Sequence, residues 1–354
     1  MSYADGWAAL HLDMPARVPR TEYSAESHWD LVAAVTGDPV TLNSSDATKL
    51  DAQSAFTGSQ GWDYAFRWSI LLSRQAFGSI RTKMGHAVYA AGGGDRDDEQ
   101  FCPFTTPEEV LAFDPVATWG RPDHAEWVRR FERHYQQQVT TQPDCVAMTG
   151  VYVTLVSGLI EIFGWELLLT ALGLDPLGFG ALTTRYANWV LPYFEALADA
   201  EVPVVMVHDD ICWSSGPFCS PAWYREYVFP NYRRLLQPLI DSGKRIAYTS
   251  DGDFSLFIDD IAACGVHGFV MEPTTNMAAI AERYGRSHFF VGNVDTRVLL
   301  GGDRGAIKAE VERCMAIGKS CPGFMLAVGN HIPANTPVDA ALYYDEVYRA
   351  LARR

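Results

Sequence analysis

The chain has 354 residues, 48% of them hydrophobic, which supplies apolar surface for one large core. Its 43 acidic against 28 basic side chains give a formal net charge of -15, and no Lys/Arg run exceeds a pair, so the field opposes a phosphate backbone and excludes nucleic acid as a partner. Seven scattered cysteines without a CxxC pair argue against a disulfide framework or a zinc ribbon and fit a reducing cytoplasm.

The N-terminal twenty residues have no basic region followed by an apolar core, so they do not read as a signal peptide. The segment ARVPRTEYS (16–24) predicts a short first strand carrying Arg17 and Arg20. A helix-compatible stretch follows at 25–35, then a loop rich in Asp, Ser and Thr to about Gly61, and YAFRWSILLS (64–73) predicts the second strand. Positions 78–104 are the least regular and predict a hairpin or lid insertion. Gly92, Gly93 and Gly94 lie there without the preceding strand and following Lys-Ser/Thr of a phosphate loop.

TTPEEVLAF opens a helix with a Thr cap, an early proline and acidic residues at the positive end of the dipole. A second helix is expected at 123–138, a third strand at 145–150, and two long helices at about 155–172 and 177–200. The apolar run 151–173 contains Glu161, Glu166 and three glycines, which reads as a buried helix rather than a membrane span. From 202 onward strands at 202–208, 244–249, 267–271, 288–292 and 323–328 each precede a helix. Five βα units after three earlier strands make eight. The expected fold is a single α/β domain over 1–354, a TIM (β/α)8 barrel with an irregular insertion around 78–104.

Such a barrel carries its site at the C-terminal ends of the strands. The residues there are His208, Asp209, Asp210, Thr249, Asp251, Asp253, Glu272, Asp295, Asn330 and His331, with Asp253 equally readable as a helix cap. Carboxylates crowded on one rim repel unless something positive intervenes. One candidate is a divalent metal, zinc or another, held through oxygen and imidazole by Asp251, Glu272, Asp295 and His331, with Asp210 in support. Another is a substrate ammonium against the rings of Trp213 and Tyr248. His331 also reads as a hydrogen-bonded rim histidine and His208 as a buried one. Arg17 and Arg20 read either as clamps for a substrate carboxylate or as salt-bridge partners of the acidic rim. Cys212 and Cys219, flanking WSSGPF, offer thiolate ligands or small buried hydrophobes.

The order HDDI (208–211), GPFCSPAWYREYVFPNYRRL (216–235), SDGD (250–253), GVHGFVMEP (265–273), GNVDTRVLLGG (292–302) and PGFMLAVGNHIPANTPVDAALYY (322–344) resembles the uroporphyrinogen decarboxylase superfamily. That resemblance implies a TIM barrel and either of two chemistries: porphyrinogen decarboxylation, or cobalamin-dependent methyl transfer between small substrates, corrinoid proteins and coenzyme M. The decarboxylases' Arg-Gln-Ala-Gly-Arg-Tyr loop is replaced here by RVPRTEY (17–23). The positions matching the methyltransferases' His-x-Cys and final Cys are Thr249, Asp251 and Asn330, so the thiolate zinc site is missing and Asp251 and His331 inherit its place.

The resulting expectation is a cytoplasmic methyltransferase moving a methyl group from a small O- or N-methylated substrate to a corrinoid protein or folate. Asp210, Asp251, Glu272 and His331 would carry catalysis, with Arg17, Arg20, His208, Trp213, Tyr248 and Asn330 around the substrate. The alternatives are a decarboxylase of a small carboxylate or a porphyrinogen-type substrate, with Arg17 and Arg20 as anion clamps, and a non-catalytic binding barrel. A corrinoid protein is the expected macromolecular partner, a membrane is not, and self-association is open.

Overall fold

The computed structural model describes residues 2–72, 101–152 and 154–354, so most of the expected insertion, 78–100, lies outside the described residues. The apolar runs form strands β1 (Thr149–Val151), β2 (Val204–His208), a short hairpin of β3 (Cys212–Trp213) and β4 (Gly216–Pro217), then β5 (Arg245–Ser250), β6 (Gly268–Met271), β7 (Phe289–Val291) and β8 (Phe324–Met325). All but the hairpin make one parallel six-stranded sheet in the order β1-β2-β5-β6-β7-β8. Each strand is followed by helix, which is what parallel pairing requires.

Two extended segments near Arg20 and Phe66 complete the circle. Leu326 N–H donates to the Pro19 carbonyl at 2.9 Å and Thr21 N–H to that of Leu326 at 3.1 Å. Ala65 N–H donates to Arg20 at 2.8 Å and Val146 N–H to Ala65 at 3.0 Å. The last strand is thereby joined to the first, the first to the second and the second to the third. The fold is a TIM barrel.

Side chains alternate across each strand, and the alternation sorts the interior. Phe66, Val146, Met148, Val204, Met206, Ala247, Val270, Phe289, Val291, Met325 and Ala327 pack inside the barrel. Their neighbours Val205, Val207, Ile246, Tyr248, Phe269, Phe290 and Phe324 face the larger core beneath the helices. The bottom of the barrel is stopped by helix α1 (Ser2–Leu10), whose Ala9 and Leu10 are buried against that interior set. Gly6 is required there, since a Cβ would lie 2.3 Å from the Ala65 carbonyl oxygen.

The helical layer begins with α2 (Trp29–Thr36) and α3 (Asp46–Thr57). The second of these occupies the stretch expected as loop. Its polar sequence DATKLDAQSAFT buries only Ala52, Phe56 and Thr57, so the apolar period is too sparse to announce a helix. α4 (Pro107–Ala112) opens on a capping box between Thr106 and Glu109, as the sequence predicts, and α5 (Pro115–Trp119) and α6 (His124–Thr141) follow.

α7 (Val156–Leu174) is apolar enough to cross a membrane by length and composition, and 61% of its most apolar window is buried inside the protein. It bends at Gly164, where φ is 72°. α8 (Pro176–Asp199), α9 (Pro221–Trp223), α10 (Phe229–Asp241), α11 (Ile258–Ala262), α12 (Met277–Tyr284), α13 (Thr296–Gly301), α14 (Arg304–Gly318) and α15 (Val338–Leu351) complete the ring.

Candidate active site at the barrel mouth

The alternation that fills the barrel also lines its mouth. Continuing each inward row past the interior layer brings Tyr23, Trp68, Ile70, Tyr152, His208, Thr249, Asp251, Glu272, Gly329 and His331 to one cavity of about 170 Å³. Met206, Val270 and Met271 form its apolar floor, and Ser69, Ser250 and Asn330 complete the lining.

His208, Asp210 and Asp251 converge, with one donor atom from each lying within 4.8 Å of the others. His208 Nε2 is 3.4 Å from Asp210 Oδ1, and that same oxygen accepts the Asp251 backbone N–H at 2.8 Å. The HDDI stretch is held by its middle residue. Asp209 is fully buried and accepts the N–H groups of Leu155, Val156 and Ser157 at the start of α7, together with the Tyr232 hydroxyl. Ser157 Oγ in turn accepts the Asp210 N–H at 2.6 Å. The Tyr152 ring stacks on the His208 imidazole at 4.1 Å and 9°.

Burial dominates the electrostatics here. It pushes the Asp210 carboxyl up to about 7, with nearby Asp209, Glu272 and Glu161 adding to the rise. Burial and then the charge of Asp210 push Asp251 well above the usual carboxylate range. Desolvation holds the His208 imidazole below its ordinary value, against the pull of Asp251 and Asp209. Thr249 lines the same cavity, and its hydroxyl is buried without a hydrogen-bond partner among the described residues.

Glu272 accepts the Gly252 N–H at 2.7 Å and an Asn330 amide hydrogen, tying the ends of β5, β6 and β8 together. His331 Nδ1 lies 2.8 Å from Ser24 Oγ.

Of the expected site residues, His208, Asp251, Glu272, Asn330 and His331 line the cavity and Asp210 sits behind it. Five lie elsewhere. Arg17 pairs with Asp5 at 2.7 Å and Asp63 at 2.5 Å. Arg20 has the opposite parity to Tyr23 and is fully buried under the helices, between the rings of Trp62 (4.7 Å) and Tyr348 (4.3 Å) and bonded to Asp345 at 2.6 Å. Tyr248 also points outward, against Tyr232 and the Asp209 carbonyl. Trp213 stands half-exposed on the hairpin beside Trp165 and Phe218. Asp295 caps α13 and pairs with Arg297, which lowers its carboxyl below the ordinary range.

Among the described residues, the donors that converge are His208, Asp210 and Asp251, a group that shares Asp251 with the expected metal set of Asp251, Glu272, Asp295 and His331 and takes its other carboxylate and its imidazole from the HDDI stretch. Burial holds the Cys212 thiol at about 12 and that of Cys219 at about 11, so neither is a thiolate at neutral pH. The aromatic wall of Tyr23, Trp68 and Tyr152 is not among the residues expected from the sequence. Strand parity carries a signal for Trp68, which lies two residues beyond the inward-facing Phe66.

A family model for uroporphyrinogen decarboxylase (URO-D) matches residues 103–349. Among curated proteins, uroporphyrinogen decarboxylase of Syntrophotalea carbinolica is 30% identical over 175 residues, 49% of this chain and 49% of that protein. The same-named protein of Chromohalobacter salexigens is 28% identical over 185 residues, 51% of this chain and 50% of its own length. This chain thus spans about half the length of the curated relatives it matches. A solved methyltransferase from Methanosarcina mazei is similar in fold, with a TM-score of 0.64 and 15% identity over 99% of this chain and 98% of that one.

Proposed function

The chain belongs to the uroporphyrinogen decarboxylase family, and we propose that it is a methyltransferase that moves the methyl group of a small O- or N-methylated compound to a corrinoid protein or a folate. The observation that carries this reading is the cavity lining, which holds Asp251, Glu272 and His208 and no lysine or arginine among the described residues. A polycarboxylate substrate finds no counter-charge there, and Arg17 and Arg20 are committed to Asp5, Asp63 and Asp345. The size agrees. A cavity of about 150 Å³ accommodates a benzene, and this one of about 170 Å³ suits a comparably small molecule rather than a tetrapyrrole.

Breaking the methyl–heteroatom bond of an ether, an alcohol or a neutral amine leaves the pair of electrons on the heteroatom, which then needs a proton or a cation. Asp251 faces the cavity, and burial together with the neighbouring Asp210 raises its carboxyl well above the usual carboxylate range. It is the group placed to protonate the departing heteroatom as a general acid. Asp210, pushed up to about 7, lies 3.4 Å from His208 Nε2 and accepts the Asp251 backbone N–H, which keeps it beside the acid. Asp209 and Ser157 fix the direction of Asp210, and Tyr152 fixes that of His208.

A divalent cation fits the same donors, with one imidazole and two carboxylates converging and the unpartnered Thr249 hydroxyl beside them. Bound by His208, Asp210 and Asp251, it would supply Lewis-acid polarisation of the leaving heteroatom.

The test is incubation with methanol, methyl phenyl ether and trimethylamine in the presence of a cob(I)alamin protein or tetrahydrofolate. Methylated acceptor is expected from at least one donor and is expected to vanish in Asp251→Asn. Carbon dioxide release from small carboxylic acids with no methylated acceptor would replace this reading with decarboxylation.

A further inference from the structure

We propose that the cavity is a recognition site for a small N-methylated ammonium ion, a substrate class that rests on the methyl-transfer reading for its fate but not for its binding. Three observations converge. First, aromatic rings line the cavity. Tyr23 and Trp68 stack at 4.8 Å and 15° to form one wall, and Tyr152 lies on the imidazole of His208. Ring faces attract cations that have shed part of their water, and methylated ammonium groups are the most easily dehydrated of these.

Second, the charge is one-sided. Asp251 and Glu272 line the cavity, Asp210 stands behind them, and no lysine or arginine is among the described lining residues. A cation among these carboxyls favours their ionised form; with all three ionised, one divalent ion at the His208–Asp210–Asp251 cluster still leaves one negative charge for a monovalent ammonium to balance. Third, Thr249 is among the lining residues and only 5% exposed, and its buried hydroxyl has no hydrogen-bond partner among the described residues. A buried hydroxyl left unbonded is costly, and a ligand N–H meets that need. A neutral methyl ether would use the rings and leave the charge uncompensated.

The chemistry balances without an added acid. The C–N bond breaks with its electron pair staying on nitrogen, the methyl group passes to a nucleophile of the corrinoid Co(I) class, and the amine departs neutral. The carboxylates then no longer face a cation, which favours release of the neutral amine.

Titration of the purified full chain with trimethylammonium chloride at pH 7, followed by calorimetry and Trp fluorescence, tests the proposal against tert-butanol, a neutral molecule of similar shape. Saturable binding of trimethylammonium at least tenfold tighter than tert-butanol is expected. Asp251→Asn is expected to weaken it tenfold or more and Trp68→Leu severalfold, each variant being checked for an unchanged circular dichroism spectrum. Equal affinity for tert-butanol, or trimethylammonium binding unaltered in both folded variants, overturns the proposal. If trimethylammonium does not bind while methanol or methyl phenyl ether methylates the acceptor, this inference falls and methyl transfer stands. If it binds and no donor methylates any acceptor, the ammonium site stands and methyl transfer falls.

Discussion

Asp251 and Asp295 look alike in the sequence, each an acidic residue just beyond an apolar strand, and their surroundings separate them. Asp295 is satisfied locally by the Arg297 backbone N–H at 2.9 Å and by the Arg297 guanidinium. Asp251 has no arginine partner of that kind among the described residues and shares its space with Asp210 and His208. Equilibrium dialysis against Co(II) distinguishes the two. Asp251→Ala is expected to weaken binding at least about tenfold, the scale of losing an interaction of ~1.4 kcal/mol. Asp295→Ala is expected to leave binding intact and to cost roughly 1 kcal/mol of stability through the lost helix cap. Equal Co(II) affinity in the two variants would remove the His208–Asp210–Asp251 cluster as a cation site. The sequence could rank these positions only by distance from a strand end. Whether a carboxylate turns toward a mouth or back onto the next helix depends on a contact such as the one between Asp295 and Arg297.

At the scale of elements, the closure of the barrel rests on a buried acid outside the site. Glu22, one residue before the inward-facing Tyr23, points under the helices and accepts the Val328 N–H at 2.9 Å and the Tyr344 hydroxyl at 2.7 Å, linking the first strand to the end of the eighth and to α15. Burial pushes its carboxyl up to about 7, against the lowering pull of Arg20 and these two donors. The folded chain therefore keeps the proton through a range where the unfolded chain has lost it. Stability from this group is complete below about 4.5 and is lost as pH rises to about 7. Urea midpoints across pH 5 to 8 should fall for the natural chain and fall less steeply for Glu22→Gln, even if the variant is less stable throughout. Parallel profiles would assign the pH dependence to other groups.

The same strand separates its arginines from the mouth. The sequence places Arg17 and Arg20 on the first strand, but Arg20 packs outward between Trp62 and Tyr348 while Tyr23, of opposite parity, lines the cavity. A segment too short to show alternation gives no phase. Helix α1 was hidden for a related reason, since SYADGWAAL is short and its buried residues are Ala9 and Leu10 at its very end. Leu10 is fully buried in the barrel floor, so Leu10→Ala is expected to cost about 2 to 5 kcal/mol. A urea midpoint unchanged within error would mean that the plug contributes nothing to the barrel.

For the whole molecule, the strands from 202 onward were legible because each is a continuous apolar run followed by a polar end and then a helix, the pattern that a barrel buried on both faces imposes. The cavity was legible only in part, because its aromatic wall comes from the first three strands, where the apolar runs are interrupted by Arg20, Glu22, Arg67 and Ser69. Net charge acts at this scale too. With a formal charge of -15 and an acidic mouth, the chain attracts small cations from beyond contact distance and repels small anions. Mobile ions screen that attraction over about 10 Å at 0.1 M salt and about 3 Å at 1 M. The affinity for trimethylammonium is therefore expected to drop severalfold between 0.01 M and 0.5 M sodium chloride, mainly through a slower association rate, whereas tert-butanol affinity stays flat over the same range. Stopped-flow Trp fluorescence reads both rates directly. An association rate independent of salt would mean that the acidic mouth is neutralised before the ligand arrives, which a permanently bound divalent ion together with protonated carboxyls would accomplish.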